Sequence, residues 1–393
     1  MRAAEHALRS PMSARPSFRG DPMARADGGR RPVVIVTGAL APYTQVLYER
    51  LAGLLGAPLH VLACSSRETA RQWELDRVKG YGFEVLPGFR WHRSSISNLY
   101  VNPSVALRIA ALRPGALVLN DFSPTMAIAA AVARATGLGY GVRTDGVPET
   151  DPGTRSPAHR LLRRVVVGGA SFGLGPSHGS GRLLASYGLA PGRFAIAPLF
   201  PAWSCPAPAA DADRPYDVLF CGSLGQRKGA DFFTDVVLGC LARGTRLRVR
   251  VVGDGPSRAD MERRFAAAGI PARFDGFLQQ AALAEAYGSS RLFHFPSRGD
   301  VWGIVVQEAL QCGTVVMASP HSGATRELVG PRCCGLVLDL DPGRWIEATL
   351  ALLDDPSRQA TLRAAGFAAL SDFTPDRSAE AYRTALAPLL DGL

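Results

Sequence analysis

The sequence predicts an α/β protein built from two parallel, doubly wound sheets, and three observations carry that prediction. Short apolar, β-branched runs alternate with segments of helical spacing along most of the chain, the signature of sheets whose crossovers are helices. The alternation is interrupted once, by a stretch of Pro, Ala and Asp over residues 201–215, and then starts again. At 393 residues the chain is too long for one ordinary core, and a 47% hydrophobic composition is ample for two.

Residues 1–30, rich in Ala, Arg, Pro and Gly without periodicity, read as a disordered leader or an over-extended start site. The first domain is expected over 31–205. It opens with a buried strand at 33–37 and a turn at 38–45 leading into a helix, on which Val46, Leu47, Leu51, Leu54 and Leu55 fall at helical spacing. A strand at 59–64 follows, then a strand at 116–120, an Ala-rich helix at 126–135, a strand at 140–143 and a helix at 160–167. The segment 201–215 is the expected interdomain linker. The second domain, 216–372, begins with a strand at 217–221 and continues with strands at 248–252, 273–275, 292–295 and 314–318. Between the last two lies a helix that Gly313 stops at its C′ position. A terminal helix at 375–390, within the segment 373–393, is expected to pack back on the first domain.

Composition narrows the partners. The formal charge of +10 favours an anionic partner, but no basic run is interleaved with aromatics, which argues against nucleic acid. No apolar run is long enough for a bilayer and the first thirty residues lack the apolar core of a secretory signal, so the cytoplasm is the expected compartment. Seven cysteines, without Cys-x-x-Cys spacing and with one adjacent pair at Cys333 and Cys334, read as packing residues of a protein in a reducing environment. His92, His159, His178, His294 and His321 show no ligand spacing and read as ordinary residues. The two Asp-x-Asp triplets, at 211–213 and 339–341, read as turns, so no metal site is expected.

Three stretches of the second domain can carry chemistry. The first runs from a strand into a Gly-rich loop, Phe220-Cys221-Gly222-Ser223-Leu224-Gly225-Gln226-Arg227-Lys228-Gly229. Such a loop cradles phosphate while its cations neutralise it; the competing reading is a solvated charged turn. The chain has only two lysines, Lys79 and Lys228, so a sequence that writes nearly every cation as Arg keeps a compact ammonium here. The second stretch, Val251-Val252-Gly253-Asp254-Gly255-Pro256, is a strand ending in a tight turn. The third spans 293–319, where a Gly-rich turn holding Asp300 opens a helix carrying Glu308. A turn at the carboxyl end of a strand that opens a helix is where open α/β sheets bind ligands, because free amides and the helix dipole point at them.

In this order and at these strand ends, the three stretches resemble the group-1, family 4 retaining glycosyltransferases, closely over 217–328 and loosely over the first domain. The resemblance implies two Rossmann-like domains facing a cleft, the GT-B architecture, with a nucleoside-diphosphate sugar as co-substrate and no cofactor. It implies that Gly222, Ser223, Arg227, Lys228 and Gly253 line the diphosphate, with Ser223 standing where relatives often have Arg and Arg227 as its substitute. Phe277 and Leu278 match the base-contacting loop. Trp302, Gly303 and Ile304 match the start of the donor helix, whose amides meet a phosphate. Asp300 matches the first acid of Glu-x7-Glu, near the transferred sugar, and Glu308 the second, on the ribose hydroxyls. In the first domain, where relatives place a His, the chain has Asn120-Asp121. Asp121 and Asp145, each at a strand end, are candidates for holding or deprotonating an acceptor hydroxyl, against the commoner role of capping a turn.

The expected activity is a metal-independent, retaining transfer of a sugar to a glycan or polyprenyl-linked acceptor in bacterial surface polysaccharide assembly. Arg155, Arg160, Arg163 and Arg164 beside Leu161, Leu162 and residues 165–167 suggest contact with an anionic inner-membrane surface, the alternative being core valines under a solvated edge. Two other readings stay open: a nucleotide-sugar epimerase on the same fold, and a degenerate transferase that only binds a partner enzyme. A dinucleotide oxidoreductase is disfavoured, since no Gly-x-Gly-x-x-Gly follows the first strand.

Overall fold

The strand-forming runs are apolar on both sides, as parallel strands covered by helices require. All five residues of VVIVT in β1 (Val33–Thr37) are buried, and likewise ALVLN in β6 (Ala116–Asn120). The computed structural model describes residues 30–66, 77–94, 97–205 and 214–391. The proposed leader up to residue 29, the linker residues 206–213 and with them the triplet at 211–213 lie outside the described residues.

The first sheet has seven strands: β1, β2 (Leu59–Ala63), β3 (Gly82–Val85), β6, β7 (Tyr140–Arg143), β8 (Phe172–Gly175) and β9 (Phe194–Ile196). Their order is β3-β2-β1-β6-β7-β8-β9, parallel throughout. A separate antiparallel hairpin, β4 (Phe89–Ser94) and β5 (Ser97–Val101), lies between β3 and β6 in sequence. The second sheet comprises β10 (Tyr216–Cys221), β11 (Val249–Val252), β12 (Ala272–Gly276), β13 (Ser290–Phe295), β14 (Val315–Ala318) and β15 (Gly335–Val337). Its order, β12-β11-β10-β13-β14-β15, is parallel too. Both sheets reverse direction of growth beside their first strand, so each has a topological switch point, between β1 and β6 and between β10 and β13.

The helices are α1 (Pro42–Leu54), α2 (Ser104–Leu112), α3 (Pro124–Thr136), α4 (Pro157–Val167), α5 (His178–Ser186), α6 (Ala230–Ala242), α7 (Arg258–Ala267), α8 (Gln280–Gly288), α9 (Ile304–Gln311), the single turn α10 (Gly330–Arg332), α11 (Pro342–Leu353), α12 (Pro356–Ala369) and α13 (Pro375–Leu390). Their ends follow local chemistry. Ser123 caps α3 by accepting from the Met126 amide at 3.4 Å, Pro124 occupies the first turn, and Gly137 ends the helix in the left-handed region. Of the second Asp-x-Asp triplet, Asp341 caps α11 by accepting from Arg344 N at 2.9 Å. On α13, Ala379, Tyr382 and Leu386 recur on one face and enter the first core beside Val33, Ile35 and Tyr48.

The chain crosses between the domains twice. At the first crossing Leu199 packs into the second core and Phe200 into the first. Trp203 and Cys205 also pack on the second core, so residues expected to close the first domain instead belong to its neighbour. The reason is a chain of ties: Gln307 on α9 donates to the Leu199 carbonyl at 2.8 Å, and Trp203 stacks on Tyr287 with centroids 6.5 Å apart. Cys205 and Cys312 form a disulfide, correcting the assignment of every cysteine to packing alone. Spacing could not show this pair, because 107 residues separate two sulfurs that the second domain's folding brings together. The second crossing lies near Phe373, in the second core, just before α13.

Candidate active site

The cation loop and the acid turn of the second domain meet at the switch point of its sheet. The cation loop leaves the end of β10 and the acid loop the end of β13, adjacent strands whose connections depart to opposite faces. Hydrogen bonds stitch the two loops together: Arg298 N donates to Arg227 O at 2.8 Å, and Arg227 Nη1 to Gly299 O at 2.9 Å. Lys228 Nζ pairs with Asp300 Oδ2, and Arg227 Nη1 stands 3.9 Å from Asp300 Oδ1. The turn after β11 joins the same platform, since Leu224 N donates to Asp254 O at 2.9 Å. Gly253 is required there: its φ is +119°, and a Cβ would lie 1.9 Å from the Gly222 carbonyl oxygen. Ser223 is exposed on this loop.

Gly303, at φ +92°, caps α9 and leaves Ile304 as the first helical residue, so the helix start faces the acid loop. Glu308 lies just over one turn along and is 9% exposed. The buried Tyr287 hydroxyl donates to its Oε2 at 3.1 Å. Burial raises the Tyr287 phenol well above its ordinary range, with the Cys221 thiol and the Glu308 carboxylate adding to the effect, so it stays a donor. Burial likewise pushes the Cys221 thiol up to about 12, with Glu308 adding to it. Phe277, 49% exposed, and the partly buried Leu278 follow β12.

Some expected residues are placed otherwise. Trp302 is 4% exposed, and its ring donates to Gln307 Oε1 at 2.8 Å and packs against Phe373. Asp145 pairs with the buried Arg143 at 2.5 Å and so serves as its counter-ion. Asp121, exposed and left-handed at φ +62°, accepts from Thr144 Oγ at 3.0 Å.

A cavity of about 210 Å³ opens between the domains and contains Asp300 in its wall. Its first-domain wall is made by Val147, Glu149 and Thr150, which follow β7, and by Ser177, Gly179 and Arg182, at the cap and on the first turns of α5 after β8. Asp121 and Asp145 do not line it. Arg298, Gly299, His321, Gly323, Arg326 and Glu327 complete it from the second domain. Two contacts cross it. Glu327 accepts from the His178 amide at 2.9 Å and pairs with His178 Nδ1 at 2.7 Å, and Arg326 reaches Glu149 at 3.3 Å. Glu149 is held below its usual range, first by its own backbone amide and then by Arg326 and Arg182. His178 and His321, read as ordinary from sequence, therefore belong to the cleft. The signal that could have found Glu149, His178 and Arg182 is their place after the carboxyl ends of predicted or predictable strands. Nothing local marks Arg326 and Glu327, whose partners come from the other domain.

Two doubly wound domains across a cleft, with a cation loop and an acid turn at the switch point of the second, define the GT-B class of architecture. Over the second domain, residues 215–355 match the family model of the group 1 glycosyl transferases. Over 292 residues the chain is 28% identical to D-inositol 3-phosphate glycosyltransferase 1 of Catenulispora acidiphila, a match covering 66% of this chain and 70% of that protein. It is 34% identical over 106 residues to sulfoquinovosyl transferase SQD2 of Arabidopsis thaliana, covering 27% of this chain but only 20% of the plant protein. Among solved structures, Anabaena HepE in complex with UDP and glucose superposes with a TM-score of 0.67 at 14% identity, over 92% of this chain and all of that one.

Proposed function

We propose that the protein is a retaining glycosyltransferase that moves a sugar from a nucleoside-diphosphate sugar to a glycan or lipid-linked acceptor, without a metal, in the assembly of a bacterial surface polysaccharide. The observation that carries this reading is the meeting of Lys228, Arg227 and Asp300 beside the start of α9. The barrier to sugar transfer is departure of the diphosphate, and cations with helix-start amides stabilise charge as it develops there. An ammonium has three donors, so Lys228 can hold Asp300 in register with the sugar and meet a phosphate oxygen at once. Glu308, steadied by Tyr287, suits the vicinal hydroxyls of the ribose. The relatives named above are transferases, and HepE was solved with UDP and glucose, which supports a uridine nucleotide as the first donor to try.

The acceptor would enter the interdomain cavity, and the protein would work in the cytoplasm, where α4 could bring it to the membrane. No described helix is long and apolar enough to cross a bilayer. The test is a thermal-shift screen of sugar nucleotides, because a ligand that binds the native state raises its melting temperature. Product analysis on the best donor follows: transfer with retained configuration supports the reading, whereas an epimerised free nucleotide sugar, or no binding of any sugar nucleotide, refutes it.

A further inference from the structure

Three arginines line the interdomain cavity, and their partners differ. Arg298 is held bidentately by Asp231 at 2.7 and 2.8 Å and also donates to Gln226 O. Arg182 and Arg326, from opposite domains, both converge on one oxygen, Glu149 Oε1, each at 3.3 Å. That is long for a guanidinium–carboxylate contact, which usually lies at about 2.7–2.9 Å. Each guanidinium has five donors in a rigid fork. Arg326 places its Nε on the Pro320 carbonyl at 2.9 Å, and the fork's other side turns to Glu149. The remaining carboxylates of the wall serve other cations or donors: Asp300 lies with Lys228 and Arg227, and Glu327 with the His178 amide and ring. Two cations thus share one carboxylate oxygen through long contacts, in a cavity with Asp300 in its wall.

We propose that Arg182 and Arg326 form an anion subsite for the acceptor, so that the acceptor is a sugar or polyol carrying a phosphate or a carboxylate. The inference rests on the glycosyltransferase reading and names its acceptor class. An incoming anion offers two or three oxygens where Glu149 offers one to both arginines, so each guanidinium gains a short contact while Glu149 moves aside. The subsite is separate from the donor platform, where Lys228 and Arg227 serve the diphosphate. Since the two arginines come from different domains, an anion bridging them also favours the closed cleft.

The experiment titrates inorganic phosphate, D-glucuronate and neutral D-glucose into the full chain saturated with UDP, or with whichever nucleoside diphosphate binds, so that the donor platform is occupied. Phosphate or glucuronate should raise the melting temperature in a saturable way, well beyond glucose. Arg182→Gln and Arg326→Gln, both at exposed side chains, should each weaken the anion's affinity roughly tenfold or more while leaving nucleotide affinity unchanged. Glu149→Gln should have the opposite sign and tighten it, by removing the competing carboxylate. A response to phosphate alone identifies a phosphorylated acceptor, and to glucuronate alone a uronate-type one. Absence of anion binding to the nucleotide-saturated protein, or equal binding by wild type and both arginine variants, overturns the proposal. If no nucleoside diphosphate binds, the donor reading fails by itself, and the arginine dependence of anion binding, measured without nucleotide, still decides the subsite.

Discussion

At the scale of residues, Lys228, Asp300 and Glu308 share one platform but should fail differently. Lys228→Ala removes a charge-assisted contact worth roughly 1.5–3 kcal/mol in ground and transition states, so donor affinity and turnover should both fall, by roughly ten- to a hundredfold in kcat/KM. Glu308→Gln keeps one acceptor oxygen for the ribose and should chiefly raise the donor KM, since that contact changes little during reaction. Asp300→Asn should act mainly on kcat, because its expected partner is the sugar in transit. Steady-state kinetics on the three variants checks the pattern; wild-type values for Lys228→Ala and Glu308→Gln would refute the donor site. His294 belongs to the core instead. It sits between Phe233 and Trp345, shares a hydrogen bond with Thr349, and burial pushes it down to about 3. The unfolded chain takes up a proton near the ordinary His value of about 6.5 that the native state refuses, so this residue makes stability fall as pH drops from there toward 3. Between pH 7 and 5 the loss is about 2 kcal/mol. Thermal melts at the two pH values should show a larger drop for wild type than for His294→Gln, and equal drops would contradict this.

At the scale of elements, α9 joins the donor platform to the first interdomain connection. Its Gln307 holds Leu199 O, and its C-cap residue Cys312 is bonded to Cys205. A cross-link closing a loop of this length stabilises by about 4–5 kcal/mol in the chain-entropy picture, and measured values run lower. Reduction, or Cys205→Ser, should therefore lower the melting temperature by several degrees, and non-reducing peptide mapping should find the linked peptides; recovery of both thiols free in the native protein would refute the bond. Helix α4 shows how a basic cluster divides in three dimensions. Arg163 turns inward to Asp151 at 2.5 Å, and Val166 and Val167 are core, leaving Arg155, Arg160 and Arg164 outside with Leu161, 65% exposed. Flotation with anionic vesicles at low salt should recover the protein, and Leu161→Glu should reduce that recovery. Failure of the wild type to float removes the membrane reading.

At the scale of the whole molecule, the two domains have separate sheets and cores but share their chain, because α13 returns to the first. The donor residues all lie between β10 and α9, so a fragment of residues 199–372, which keeps Leu199, Trp203 and Cys205 on the second core, should fold and bind the nucleotide without the first domain. Calorimetry on that fragment decides: folding without any nucleotide binding would break the division of donor and acceptor between domains. Hinge rotation that closes the cleft on the bound donor is the expected next step. In this structure the cleft is bridged by His178 with Glu327 and Glu149 with Arg326.

What the sequence determined by itself was whatever local chemistry dictates. Strand periodicity located β1, β6 and β7 to the residue, and Pro375 with the apolar spacing of α13 set that helix's bounds. Glycines punctuate the cation loop and the acid turn, among them Gly229 and Gly303 in the left-handed region, and this is why sequence alone singled out the stretches holding Lys228, Asp300 and Glu308. Elements such as β3 and the β4–β5 hairpin escaped, since GFEV, FRWHRS and SNLYV mix polar residues with apolar ones and offer no continuous apolar run like that of β1. Only the tertiary structure decided which strand ends face each other. That choice put Arg163 and Trp302 indoors, bonded Cys205 to Cys312, and set Glu149, Arg182, Arg326 and His178 around one cavity. The physical reason is that a tertiary contact leaves no trace in the local pattern of either partner: Cys205 meets Cys312 only once the second domain has folded, and Glu149 meets Arg326 only where the two domains face each other.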